Sequence, residues 1–157
     1  MANVNLVIDG VSKDVSTLDL SAVTRKFREA WKFNGNAVEY DIPTMKGLAI
    51  QKLKGRAKEL VQPTKTYQGE NFTLTPDFLA ELRDLRNEAD LGGLTQVTVY
   101  SDDNNPVVVT TTQLNNFLLS VAQDRNNIRS QAQARIDNIR NATTAAEIIA
   151  ELDAVGV

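Results

Sequence analysis

The chain predicts an α+β protein, mainly α, with helical lobes, short N-terminal strands, a central β-hairpin and a long helix in the C-terminal half. Three observations predict it. Apolar residues recur at three- and four-residue spacing in several stretches, the mark of helices with one buried side. Turn signals such as Asp9-Gly10 and Asn34-Gly35 bound short alternating runs. Residues 107 to 157 read as a strand, a threonine-rich cap, a helix of about eight turns and a capped closing helix.

Val4, Leu6 and Ile8 alternate with Asn5 and Val7 ahead of Asp9-Gly10, and Val11 to Val15 pairs back as a hairpin. Asp19 or Ser21 caps a first helix whose positions Val23, Phe27, Ala30 and Trp31 keep helical spacing. Asn34-Gly35-Asn36 then reverses the chain, because such a step accepts positive φ, and Ala37 to Ile42 is extended. Pro43 opens a helix that runs to about Val61 and stops at Gln62-Pro63, its apolar face formed by Met45, Ala49, Leu53, Ala57 and Leu60. Lys65 to Thr73 mixes Thr, Gly and Gln without a period and reads as a loop, the linker of the chain.

Thr75 caps the next helix, Pro76 opens it, Asp77 suits its dipole and Gly92-Gly93 ends it. Phe78, Leu82, Leu85 and Ala89 make its core face. Val97 to Tyr100 and Val107 to Thr110 flank the polar run Ser101 to Pro106 as a hairpin. Thr111 or Thr112 caps the long helix, Gln113 to about Asn141. Thr144-Ala145-Ala146-Glu147 is a capping box for the last helix, whose apolar side is Ile148, Ile149, Leu152 and Val155. The organisation that follows is an N-terminal lobe over residues 1–64 with short strands and two helices, a connecting segment with one helix over 65–93, and the hairpin, long helix and short closing helix over 94–157.

With 157 residues and no cysteine, the chain is long enough to bury a core without disulfides. Its net charge of −3 gives no general basic footprint, so nucleic acid is not an expected partner. No run reaches the roughly 18 apolar residues of a membrane helix. Met1 to Asn5 opens polar, without a charged-then-apolar leader, so a soluble protein made in cytoplasm is expected.

Histidine is absent as well, which removes the usual serine and cysteine triads and histidine- or cysteine-based zinc sites. Carboxylate chemistry remains, with Glu81 and Asp84 or Asp102 and Asp103 as the acid pairs a glycan-cleaving enzyme would use. Acids three apart on a helix are more often a solvated face. Asp102 to Asn105 resembles the start of a calcium loop but lacks the turn glycine and closing glutamate, so an ordinary turn is the better reading. No cofactor, metal or catalytic residue is assigned. The basic face of the second helix, Lys46, Lys52, Lys54, Arg56 and Lys58, is read as solvated or internally paired.

The long helix carries a heptad-like seam. Leu114, Val121, Ile128 and Arg135 fall seven apart, with Leu118, Arg125, Ala132 and Ile139 as the companion stripe. An intramolecular bundle and self-association through this helix both fit. Trp31, with Phe27 and Phe33, forms the densest aromatic cluster, a core anchor or a docking anchor.

Phe27-Arg28-Glu29-Ala30-Trp31, then Asn34 to Asp41 and the Lys/Arg-rich helix, resemble an N-terminal pattern of proteins encoded beside tail-fibre genes of tailed bacteriophages. Pro106 to Thr110, Gln113-Leu114, Ala142 to Ile148 and Leu152 to Val155 resemble the uncharacterised C-terminal domain common in phage tail-fibre-region proteins. Asn104-Asn105 stands where such proteins often have Asp-Gly, and Lys65 to Gly93 has no counterpart. The resemblance implies a non-enzymatic structural part of a phage tail, baseplate- or fibre-proximal, located in the virion. Its partners would be other tail or fibre proteins and copies of itself, matched to the tail's symmetry. A tail-fibre assembly chaperone is the alternative, and a small glycan-cleaving tail enzyme a third. Expected assembly contacts are Leu114, Phe117, Leu118, Val121 and Arg125, then Ile128, Arg135 and Ile139, with Trp31 as a secondary anchor.

Overall fold

The computed structural model describes residues 4–61 and 63–157. The expected polar opening before Val4, and Gln62 at the expected helix stop, lie outside the described residues. Among them, four α-helices are interleaved with four antiparallel two-stranded hairpins. This corrects the expected layout: strands are not confined to the N terminus and one central hairpin, because two further segments pair as hairpins where a helix and a linker were expected. The chain divides into two compact units, residues 1–56 with 133–157, and residues 57–132.

In the first unit, β1 (Asn5–Ile8) pairs with β2 (Val11–Asp14) across Asp9 and Gly10, whose φ values of 50° and 78° suit a two-residue turn. The expected first helix is absent. Asp19 instead bridges Ala37, its carbonyl accepting from the Val38 N–H and its carboxylate from the Ser21 N–H. Phe27 takes φ 54°, outside the right-handed helical region, ahead of a single 3₁₀ turn over Arg28–Ala30. β3 (Trp31–Asn34) then pairs with β4 (Ala37–Tyr40) around Gly35 at φ 59°. Trp31 stands opposite Tyr40, and the Tyr40 hydroxyl accepts the Thr24 N–H at 2.9 Å and lies 2.9 Å from the Lys26 carbonyl. These tertiary bonds occupy the backbone groups a helix would use itself.

Helix α1 (Ile42–Leu60) starts at Asp41, whose carboxylate accepts from the Thr44 N–H at 3.2 Å, so Pro43 sits one residue inside the helix. Met45, Ala49 and Leu53 are buried as expected, while Leu60 is 40% exposed. The end of α3 (Thr111–Asn141) and α4 (Ala145–Asp153) complete this unit. Thr144 and Glu147 form the expected reciprocal capping box. Ile136, Ile139, Ile148 and Leu152 are buried here.

The second unit corrects the linker reading. Thr64–Tyr67 (β5) and Glu70–Thr73 (β6) pair around Gln68 and Gly69, at φ 51° and 81°. Alternation places Tyr67 and Phe72 toward one side, and Phe72 joins the core. α2 (Pro76–Gly92) is capped by Thr75 and closed by Gly93 at φ 65°, with the Leu94 N–H returning to the Ala89 carbonyl. It buries Leu79, Leu82 and Ala89; Phe78 and Leu85 are only partly covered. β7 (Gln96–Tyr100) and β8 (Pro106–Thr110) bury Val97, Val99, Val107 and Val109 from one face. The cap of α3 is Thr110, not Thr111 or Thr112: its hydroxyl accepts the Gln113 N–H at 3.1 Å, and the Gln113 side chain accepts the Thr110 N–H at 2.8 Å. Glutamine at the third helical position completes the box by holding the cap's own N–H.

Candidate functional site

The expected contact residues divide by burial. Leu114 and Val121 are 2% and 3% exposed, and Phe117 packs edge-on to Tyr67 and Phe72 at 5.6 and 6.0 Å between ring centres. All three belong to the core of the second unit. Ile139 is fully buried in the first unit, and Trp31 is buried on β3 with the Arg28 guanidinium 5.7 Å from its ring. The chain itself covers these side chains, so they are not free to meet another protein. Arg135 is tied to Glu151 at 3.0 Å, and Asn138 shares the same carboxylate at 2.9 Å. Leu118, Arg125 and Ile128 remain half-buried.

Arg125 differs from Arg135. One of its terminal nitrogens donates to the Leu74 carbonyl at a long 3.4 Å, and its Nε is buried without a hydrogen-bond partner. It separates two depressions. One, of about 230 Å³, is lined by Pro63, Lys65, Leu74, Asp124 and Ile128 among others, and Lys65 pairs there with Asp124 at 2.9 Å. The other is an open groove of about 770 Å³ between α2 and α3. From α2 it takes Leu79, Arg83 and Arg86; from α3 it takes Asn115, Leu118, Leu119, Val121, Ala122, Arg125 and Arg129. On α3 the run 115, 118, 122, 125, 129 alternates three- and four-residue steps, which makes one continuous stripe. This stripe neighbours the core stripe through Leu114, Phe117 and Val121.

Of the acid pairs, Glu81 and Asp84 are exposed on α2. Asp102 is occupied structurally: its two oxygens accept from the Thr73 N–H and hydroxyl at 2.8 Å each, and its own N–H donates to the Asn71 carbonyl at 2.9 Å. The residue fastens the 101–105 loop to β6. Four carboxylates are held below their usual range, each by turn or cap hydrogen bonds. The Ser16 N–H lowers Asp14, the Ser21 hydroxyl and then its N–H lower Asp19, the Thr44 hydroxyl and N–H with Lys32 nearby lower Asp41, and the N–H groups of Thr143 and Thr144 lower Glu147. Among the described residues no three or more His, Cys, Asp or Glu side chains gather as a metal site, and no helix is long and apolar enough to cross a membrane.

Family models, curated proteins and solved structures were each compared with this chain, and nothing matches. The arginine groove went unread in the sequence because it draws on α2 and α3 about forty residues apart. A signal was present: Asn115, Ala122 and Arg129 fall seven apart beside Leu118 and Arg125 of the seam.

Proposed function

We propose that this chain is a non-catalytic assembly protein, a structural component of a bacteriophage tail close to the baseplate or fibre, which joins its neighbours through surfaces of the second unit. The observation that carries the binding reading is the placement of exposed apolar side chains. Leu91 is 90% exposed and Leu94, Tyr100, Val108 and Leu119 all exceed half within residues 57–132, and in the first unit Val4 and Val7 do so beside the first hairpin. Surface leucines and aromatics cost free energy in water and contribute when a partner covers them. The phage assignment itself rests on the sequence resemblance at residues 27–41, 106–114 and 142–155.

The contact surface proposed here keeps Leu118 and Arg125 of the long-helix seam but not its buried members. Leu114, Phe117, Val121 and Ile139 support the fold, and binding falls to the side chains they leave outside. Quantitative mass spectrometry of purified particles and of the matching lysate tests the assignment. A fixed whole-number copy per tail supports a virion part placed in the particle. Presence in lysate bound to fibre protein, with absence from particles, replaces it by an assembly chaperone, and absence from both overturns it.

A further inference from the structure

We infer that the groove between α2 and α3 is a docking site for an amphipathic acidic helix of another protein, one carrying carboxylates on both sides of an apolar stripe. The inference deepens the assembly reading and rests on it. Arg83 and Arg86 stand on one wall, Arg125 and Arg129 on the other. Among the described residues only Arg86 has a carboxylate within ion-pair distance, Asp90 at 3.7 Å, and both of those side chains are about half exposed. Arg83, Arg125 and Arg129 have none within ion-pair distance. Four guanidiniums facing one groove repel one another, and carboxylates arriving between them relieve that repulsion.

The floor selects what kind of anion fits. Leu79, Leu118, Leu119 and Ala122 line it, and Leu119 is 56% exposed. An apolar floor between charged walls asks for leucine-like side chains flanked by acids, the pattern of an amphipathic helix laid in a groove. From Asn115 to Arg129 the groove follows α3 for roughly 20 Å, about the length of a 14-residue helix.

Nucleic acid fits less well. No aromatic side chain lines the groove for base stacking. Asp77, Glu81, Asp84 and Glu88, spaced four, three and four apart, make an exposed acidic stripe on the other side of α2 that would repel a long phosphate backbone. A second copy of this chain could offer that same stripe. That stripe runs on to the 90% exposed Leu91 and otherwise flanks only the exposed Ala80 and the half-buried Leu85, so it brings charge with a single exposed leucine for a floor of several apolar side chains.

The test uses a fluorescent helical peptide of about 14 residues with leucines at three- and four-residue spacing and glutamates on both flanks. Anisotropy should show saturable binding to the full chain, weakened about tenfold or more when the glutamates become glutamine, and similarly by Arg83→Glu with Arg129→Glu. Both substituted positions are exposed, so the fold is checked by an unchanged circular dichroism spectrum and melting point. An oligothymidine of similar length serves as the phosphate competitor, and sedimentation of the protein alone reports self-association. Binding that ignores the arginine reversals overturns the assignment, as does tighter binding of oligothymidine, or a dimer that the reversals dissolve. Loss of the Arg83→Glu/Arg129→Glu protein from particles, where wild type is present, supports the groove. Its full retention sinks the groove while leaving the assembly reading intact.

Discussion

Arg125 and Arg135 lie ten residues apart on the same helix and in the same seam, yet the fold treats them differently. Among the described residues Arg135 meets Glu151 at 3.0 Å beside Asn138, whereas Arg125 finds only a carbonyl at 3.4 Å and leaves its Nε unmatched. The C-terminal end of α3 is thus finished internally, by a carboxylate supplied from α4. Further up the helix Arg125 and Arg129 have no carboxylate within ion-pair distance among the described residues, and Leu119 beside them is exposed. Position in a heptad does not decide whether an arginine is paired within the fold; the presence of a counter-charge from another element does.

Core truncation should break the comparison most strongly. Leu114→Ala in the second unit and Ile139→Ala in the first should each lower unfolding free energy by about 2–5 kcal/mol in urea titrations, because both side chains are fully packed. A loss well under about 1 kcal/mol at either position would show that its burial contributes little to the fold.

A smaller effect sharpens it. Arg135→Met removes one partner of a largely covered pair and should cost about 1–2 kcal/mol. Arg125→Met keeps the aliphatic stem and discards an unmatched charge, so its stability should stay within about 0.5 kcal/mol of wild type or rise. Equal losses at the two positions, read from the same titrations, would erase the distinction drawn between them.

Thr110→Ala tests the start of the same helix. Losing the hydroxyl that accepts the Gln113 N–H should cost about 1 kcal/mol, while Thr111→Ala and Thr112→Ala should change little. Hydrogen exchange of the Gln113 amide reports this locally.

The smallest effect is in acid. Asp14, Asp19, Asp41 and Glu147 all have folded values below their usual range. Their stabilising contribution is therefore present above the ordinary carboxylate range near pH 4 and is lost as pH falls through the lowered values. Glu147→Gln should flatten part of that acid limb in a melting-temperature series and leave the curve parallel to wild type above about pH 5. A wild-type melting point that rises on acidification below pH 4 would contradict the assigned sign.

How much could be read in advance depended on how local the determining contacts are. The helices over 42–60, 76–92, 111–141 and 145–153 were legible because caps, proline and glycine act within a few residues, as with Thr75-Pro76, Gly93 and the Thr144–Glu147 box. Even there the cap of α3 was misread, since Thr110, Thr111 and Thr112 are equivalent in sequence and only the Gln113 side chain distinguishes them. Residues 19–33 failed for a different reason. Val23, Phe27, Ala30 and Trp31 fit helical spacing, but Trp31 and Phe33 also alternate as a strand, and pairing with β4 won. Gln68-Gly69 hid the third hairpin because glutamine seldom marks a positive-φ turn position.

By itself the sequence determined where helices begin and end, that the chain has no imidazole or thiol chemistry, and which stripes of the long helix are apolar. Those follow from short-range hydrogen bonding and residue type. Only the tertiary structure decided which of those stripes the chain seals within itself and which arginines are left facing a groove. Burial and charge compensation are sums over elements far apart in sequence, and no local pattern contains them.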